Sequence, residues 1–338
     1  MNQTGWTASN RPSFVITIDT EGDNLWAKPQ NITTRNSDFL PRFQNLCEEF
    51  GLKPTYLTNF EMAECDRFRA FAKGALKKNT AEIGMHLHAW NSPPLKPLTP
   101  DDMRYHPYLI EYPTDIIEEK VSHMTALLES AFEIKPRSHR AGRWSFNGTY
   151  ARVLERQGYT VDCSVTPHVS YTNQPGDPNG KGGTDFRRYP RQPYFLDLQD
   201  ISQPGSSRLL EVPMTIVSVY PALDRIVSLF GYDSFVRRAF HRVFKGIRWL
   251  RPTGENLPLM LGILDRAVAE KWPYVEFMLH SSEFMPGGSP TFPTEASIER
   301  LYRDLKELFG AAARGFVGAT LTGFGEHHRR LVKPSSAG

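Results

Sequence analysis

Short runs of apolar, β-branched residues alternate with stretches of helical spacing through most of this chain, and that alternation leaves few folds open. Runs at 14–20, 54–60, 82–88, 137–142, 160–165, 209–214, 274–280 and 316–321 read as strands. Stretches at 38–50, 67–75, 114–132, 147–157, 257–270 and 294–313 read as helices. Within 114–132, Ile116, Ile117, Val121, Met124, Leu127, Leu128 and Phe132 keep close to a period of about 3.6 residues. Strands and helices in turn predict a parallel sheet with helical crossovers. The 338 residues suffice for two domains or for one large α/β barrel.

Two stretches break the rhythm. Residues 168–208 are rich in Pro, Gly, Asn and Arg and lack a period, so they read as a lid carrying Arg187, Arg188 and Arg191 over an acidic saccharide, or as a poorly ordered excursion. Residues 215–256 read as helical, with an apolar stripe of Val236, Phe240, Val243, Ile247 and Leu250. Arg237, Arg238, Arg242, Lys245, Arg248 and Arg251 give that stretch its charge. Such a helix packs its stripe on the core, or lies peripherally on an anionic membrane surface. Neither stretch suggests a separate domain. The expected organisation is an extension at 1–12, one body at 13–325 with insertions at 168–208 and 215–256, and a tail at 326–338.

Composition excludes several classes. Hydrophobic residues make up 40% and charged residues 23%, so the chain can bury a core. Forty Lys and Arg against 37 Asp and Glu leave a net charge of +3, too little to point to nucleic acid as a partner. Cys47, Cys65 and Cys163 make neither a disulfide framework nor a thiolate metal site, which fits a reducing compartment. The first fourteen residues lack the apolar core of a signal peptide, and no run approaches the ~18–20 apolar residues of a membrane span. The expectation is a soluble, cytoplasmic protein.

Four predicted strands end in side chains that bind metals or move protons. The first runs through Asp19, Thr20, Glu21, Gly22 and Asp23; the third ends His86-Leu87-His88; the fourth ends His139-Arg140; the late one ends Leu279-His280. In parallel α/β barrels such ends converge on one rim. His86 and His88, two apart on a strand, face the same way and can share one ion. Two histidines and a carboxylate leave a coordination position open, as hydrolytic zinc sites require. Glu21 is the preferred third ligand and Asp23 the reserve, while Asp19 can itself bridge.

With a metal present, Asp19 is the natural general base, and Arg140 can pair with it to keep it ionised. Asp162 can hold Arg140 from the far side, or the two form a structural ion pair. His280 is placed to protonate a leaving amine, or is a satisfied core histidine. Trp26, Trp90 and Trp144 stand next to these residues in sequence and suit the apolar faces of sugar rings. Ser281, Ser282 and Glu283 follow His280 directly and either line the pocket or orient the histidine.

Taken in order, Thr-Ile-Asp19-Thr-Glu21-Gly, Glu-Ile-Gly-Met-His86-Leu-His88, Arg140-Ala-Gly, Asp162 and Leu-His280 resemble the polysaccharide deacetylase (carbohydrate esterase 4-like) superfamily. The WalW-type branch is the most similar one. The resemblance spans roughly 13–325 and implies a distorted (β/α)7-type barrel with a divalent metal, usually zinc. It implies hydrolysis of an N-acetyl or similar acyl group on a sugar. By position, it gives Asp19 as base, Glu21 and His86 as metal ligands, Arg140 as the base-orienting arginine and His280 as acid. Three motifs depart from the family's pattern. Its Asp-Asp is here Asp19-Thr20-Glu21, and its His-x-x-x-His is here His86-x-His88 with Trp90 where the second histidine would fall. Its Arg-x-Pro-Tyr is here Arg140-Ala-Gly142-Arg143, so the oxyanion-binding backbone N–H falls to Arg143.

The expected function is therefore a metal-dependent N-deacylase of a saccharide or saccharide precursor. A hydrolase of cyclic amides or ureides on the same scaffold is the enzyme alternative. A saccharide-binding protein with a degenerate site is the other. An amidohydrolase-type barrel is disfavoured, because there the His-x-His comes first and the acid last.

Overall fold

The computed structural model describes residues 11–174, 176–180, 182–218 and 246–332. Its strands are β1 (Ser13–Thr20), β2 (Pro54–Thr58), β3 (Glu82–Leu87), β4 (Ser138–Ala141), β5 (Val161–Asp162) and β6 (Tyr194–Phe195). After them come β7 (Leu210–Glu211), β8 (Ile216–Ser218), β9 (Ile247–Trp249), β10 (Tyr274–His280) and β11 (Val317–Ala319). Each of the eight predicted runs overlaps one of these strands. The main sheet runs β10-β1-β2-β3-β4-β5-β7-β6, parallel throughout except for the antiparallel β6–β7 pair, and β11 joins the start of β1. The seven parallel strands from β10 to β7 curl into an incomplete barrel, the predicted (β/α)7 type.

The open side is closed by chain rather than by a strand. Between β7 and β8, the Pro213 carbonyl accepts from the Tyr274 hydroxyl, and Thr215 Oγ1 accepts from the Glu276 N–H at 2.8 Å. The two rims thus meet without a continuous ladder.

Both faces of β1 are buried, so its Phe14–Ile18 segment is apolar on both faces save Thr17. Phe14, Ile16 and Ile18 belong to the core between sheet and helices, with Leu40, Phe43 and Phe309. Val15 belongs to a second cluster inside the barrel, with Leu57, Val161, Cys163, Leu210 and Tyr274. Each large apolar side chain buried in this way contributes about 1.5–3 kcal/mol.

The helices are α1 (Leu40–Glu49), α2 (Phe60–Glu64), α3 (Asp66–Lys77), α4 (Asp102–Tyr105), α5 (Thr114–Phe132) and α6 (Gly148–Arg156), then α7 (Leu257–Ala269), α8 (Glu295–Gly315) and α9 (Leu321–Val332). The boundaries of α5 coincide with the predicted ones. Pro113 precedes its first turn, Asp115 sits within that turn, and Glu133 stops the helix in a left-handed conformation at φ 58°. Helix α9 occupies part of the expected strand and tail. Its Leu321 and Phe324 plug the amino end of the barrel, with the Phe324 ring 4.9 Å from that of Tyr274.

Two expectations on the irregular stretches are corrected. The ends of 215–256 are not helical: β8 and β9 pair antiparallel, Ile216 opposite Trp249. Ile247 therefore lies in a strand, and Leu250 donates its N–H to the Thr215 carbonyl at 3.0 Å. Val236, Arg237, Arg238, Phe240, Arg242, Val243 and Lys245, the body of the predicted basic helix, lie outside the described residues. The stretch 168–208 is a packed excursion, with Tyr171, Phe186, Tyr194, Leu196 and Ile201 buried and β6 added to the sheet edge. Among the described residues, no helix is long and apolar enough to cross a membrane.

Candidate active site

Side chains alternate between the two faces of each strand, so the inward positions of β1 and β10 are Thr17 and Asp19, and Glu276 and His280. Both strands end at the same level because they pair in register, Asp19 opposite His280. Across the barrel, β4 sends in Arg140, whose side chain is fully buried. Its Nη1 donates to Asp19 Oδ1 at 2.6 Å, its Nη2 to Thr17 Oγ1 at 2.7 Å and to Glu276 Oε1, and its Nε to the Cys163 carbonyl at 3.3 Å. Burial pushes the Asp19 carboxyl up, but the charges of Arg140, His86 and His280 outweigh it and hold Asp19 below the usual range. Glu276 ends differently: burial lifts it to about 7 despite Arg140.

Glu21, just past β1, meets His86 near the end of β3 and His88 just past it. His88 Nε2 lies 2.9 Å from His86 Nε2, and Glu21 Oε2 lies 3.2 Å from the former and 3.5 Å from the latter. All three residues are buried. Zinc bonds of about 2.0–2.1 Å at tetrahedral angles separate ligand atoms by about 3.3 Å, so this triangle is the size a metal requires. The tautomer also fits. His86 Nδ1 stands 3.0 Å from the Arg140 carbonyl, which can only accept, so Nδ1 carries the proton and Nε2 offers its lone pair. Burial and the neighbouring His86 hold His88 below the usual imidazole range, while Asp19 and Glu21 outweigh burial to raise His86. Burial opposes ionisation of Glu21, yet hydrogen bonds to both histidines and the charge of His280 keep it well below the ordinary carboxylate range. Two imidazole nitrogens and one carboxylate oxygen suit zinc and several other divalent ions.

The site is possible only because Gly142 is a glycine: a Cβ there would collide with the His88 ring and the Leu87 carbonyl. The next two residues, Arg143 and Trp144, hold left-handed backbones at φ 55° and φ 58°. Such conformations cost on the order of 1–3 kcal/mol each and persist where packing demands them.

His280 presents Nε2 at 3.8 Å from Asp19 Oδ2 and 3.9 Å from Glu21 Oε1. Its Nδ1 faces Glu283 Oε2 at 3.2 Å, and the same carboxylate accepts the His280 N–H at 2.9 Å and Arg251 Nη2 at 3.1 Å. Burial opposes the Glu283 charge, but Arg251 and His280 prevail and keep it low. Of the two roles considered for Glu283, orienting the histidine is the one the geometry shows.

A cavity of about 360 Å³ opens over these groups, lined by Asp19, Glu21, His86, His88 and His280 and walled by Trp26, Trp90, Arg143 and Trp144. Trp26 meets the His280 ring edge-on at 4.8 Å, Trp90 lies 4.4 Å from the His88 ring, and Arg140 stacks 4.8 Å over Trp144. The volume lies in the range of small-ligand sites.

Three residues sit elsewhere than expected. Asp162 does not touch Arg140. It pairs in register with His139, so it faces away from Arg140 and binds His139 Nδ1 at 2.5 Å and the Ser164 hydroxyl at 3.0 Å. Ser281 does not line the cavity: buried, its hydroxyl exchanges two 3.1 Å hydrogen bonds with the Glu21 backbone and fixes that residue. Asp23, the reserve ligand, is committed to Thr33, Arg35 and Asn36 at 2.7–3.0 Å.

Thr17 and Glu276 were missed from sequence, although each is a polar residue on the inward parity of a strand that also carries a site residue. The loop 168–208 does reach the cavity, through Tyr171 and Gln174. Its Arg187 pairs instead with Asp185 at 2.6 Å, and none of Arg187, Arg188 and Arg191 lines the cavity.

No protein-family model matches the sequence, and no curated protein matches it. Solved structures do. A candidate glycoside hydrolase/deacetylase from Parabacteroides distasonis superposes with a TM-score of 0.58 at 13% identity, over 94% of this chain and 71% of that one. A candidate polysaccharide deacetylase from Mycobacterium smegmatis gives 0.55 at 14% identity, over 97% and 94%. A 4-alpha-glucanotransferase from Thermococcus litoralis gives 0.51 at 12% identity, over 96% of this chain and 41% of that one. The last is named for transfer chemistry, so the scaffold alone does not choose a reaction. The WalW-type branch rests on motif order only. At such identities likeness carries the fold and nothing finer, and on that ground the chain takes its place among proteins with the polysaccharide deacetylase fold.

Proposed function

We propose that this protein is a metal-dependent hydrolase that removes an N-acyl group, N-acetyl in the simplest case, from an amino sugar. The observation that carries the reading is the placement of Asp19 and His280 3.8 Å apart beside the Glu21, His86 and His88 triangle. A divalent ion, zinc by preference, would be held by Glu21 Oε2, His86 Nε2 and His88 Nε2. When bound, such an ion supplies Lewis acidity, polarising an acyl carbonyl and acidifying water.

The chain's own groups divide the proton work. Asp19 Oδ1 is tied to Arg140, which leaves Oδ2 to take the proton of the attacking water. His280 Nε2 then delivers a proton to the departing nitrogen, while Glu283 holds the ring by Nδ1. Trp26, Trp90 and Trp144 offer apolar walls on which a sugar face stacks. Arg143, in the family position whose backbone N–H binds the oxyanion, closes the cavity beside His88.

A carbohydrate-binding protein would have no use for a buried, charge-matched base opposite a free imidazole nitrogen, and this favours an enzyme. The test is acetate release from N-acetylated saccharides, run beside cyclic ureides, with and without a chelator. Chelator-sensitive acetate release is expected. Release untouched by metal removal, or turnover of ureides alone, would overturn the reading.

A further inference from the structure

Beside the catalytic cavity lies a larger one, about 740 Å³, and the two share Lys28, Met103, Arg143 and Gln174. The side cavity adds Arg104, Tyr105 and Tyr108. Its charged lining is entirely cationic: Lys28, Arg104 and Arg143, with no carboxylate. Among the described residues, none of these three forms an ion pair. Arg143 lies between the cavities, its guanidinium 5.4 Å from the Trp90 ring and 5.8 Å from that of Tyr108; Arg104 lies 5.0 Å over Tyr105.

Acids around the cavity are held by backbone N–H groups rather than paired with these cations. Glu111 accepts the Tyr108 and Asp177 N–H groups at 3.2 and 2.7 Å, Asp177 that of Asn179 at 2.9 Å, and Asp101 that of Arg104 at 3.1 Å. Three cations around one cavity repel one another, and an anion among them would relieve that repulsion. At the floor of the catalytic cavity Asp19 is already paired with Arg140 and Glu21 would face the bound ion, so the floor has no comparable group of arginine and lysine side chains without an acidic partner. An anionic group on a substrate is therefore best placed in the side cavity, with the amide end at the floor.

We infer that the substrate is an anionic saccharide, an N-acylated sugar bearing a covalently attached phosphate or carboxylate that is seated by Arg104, Arg143 and Lys28. This rests on the hydrolase reading above and narrows its substrate class. Arginine suits both groups, because its planar donors match two oxygens at once.

The test uses the zinc-loaded full chain and three probes: N-acetylglucosamine, its 1-phosphate, and an N-acetylated disaccharide with a uronic acid neighbour. Equilibrium binding by calorimetry and acetate release are measured separately at low and high salt. At least one anionic probe is expected to bind tenfold or more tightly than the neutral sugar, with the gap shrinking in salt. A preference for the phosphate or the uronate identifies which source the cavity takes. Arg104→Gln, at an exposed position, should shrink the gap severalfold, and Arg104→Lys should retain most of it. Equal affinity for neutral and anionic probes overturns the inference, as does a preference that Arg104→Gln leaves intact. Hydrolysis without anionic preference leaves the hydrolase standing and removes only this inference. Arg104-dependent anionic binding without hydrolysis does the reverse, and an absence of binding to all three removes the inference too.

Discussion

His280 Nε2 stands 3.8 Å from Asp19 Oδ2, on two neighbouring strands paired in register at those residues. Parallel pairing gives both side chains the same inward face and the same height, so the spacing of the proposed base and acid is set by the sheet rather than by a loop. Asp19→Asn keeps the shape and removes the proton acceptor. The expected result is a fall in kcat of about 10²–10⁴-fold with metal content unchanged. Steady-state kinetics beside metal analysis check it, and a variant with near-normal kcat would remove Asp19 as the base.

The buried Glu276 makes stability depend on pH in a defined direction. Its carboxyl is lifted by burial to about 7, above the ordinary 4.5, so the folded chain keeps a proton that the unfolded chain has already released. Between those two values the unfolded state binds fewer protons, and stability falls as pH rises. Glu276→Gln removes this titration. The wild type should lose on the order of 3 kcal/mol relative to the variant from pH 4.5 to 7. Urea denaturation of both proteins across that range measures the difference, and parallel curves would refute it.

Gly142 is a sharper probe of the metal triangle than any ligand, because it changes no donor. An added Cβ would collide with both the His88 ring and the Leu87 carbonyl, so both must shift. Gly142→Ala should fold, and should weaken divalent-ion affinity by about 10–100-fold, the usual effect of disturbing a ligand's support. Competition with a chromogenic chelator reads this out. Unaltered affinity would mean that His88 is not a ligand.

The three thiols separate by environment. Cys47 and Cys163 are buried and pushed well above their ordinary range by that burial. Cys65 is half-buried; desolvation opposes its ionisation, but hydrogen bonds with Thr34, Ser37 and the backbone at the start of α3 bring it below that range. Thiolate is the reactive form, so Cys65 should alkylate first and the other two only on unfolding. Mass spectrometry after timed iodoacetamide treatment decides this, and early modification of Cys47 or Cys163 would contradict it.

What could be read from sequence tracks how local the determinant is. The parallel strands were visible because both faces are buried, and α5 because its apolar period runs unbroken between Pro113 and Glu133. Glu21, His86 and His88 were legible because extended chain at a strand end keeps the two-residue alternation, although Glu21 and His88 fall one residue past β1 and β3. Asp162 was misjudged because its partner depends on the β4–β5 register, His139 opposite Asp162, which no local pattern reveals. The β8–β9 pair was hidden because Ile247 and Leu250 continue a helical spacing whose other members, Val236, Phe240 and Val243, lie outside the described residues. Helix α9 was overlooked because Leu321 and Phe324 gave it too few buried positions to show a period.

The central claim is that Glu21, His86 and His88 together hold one divalent ion at the rim of the barrel. Elemental analysis of the purified protein after exhaustive dialysis against metal-free buffer tests it most directly, with His86→Ala and Glu21→Ala treated alongside. The predicted result is close to one divalent ion per wild-type chain and little in either variant. A wild-type chain that neither retains nor rebinds zinc, or variants that hold as much as the wild type, would contradict the account.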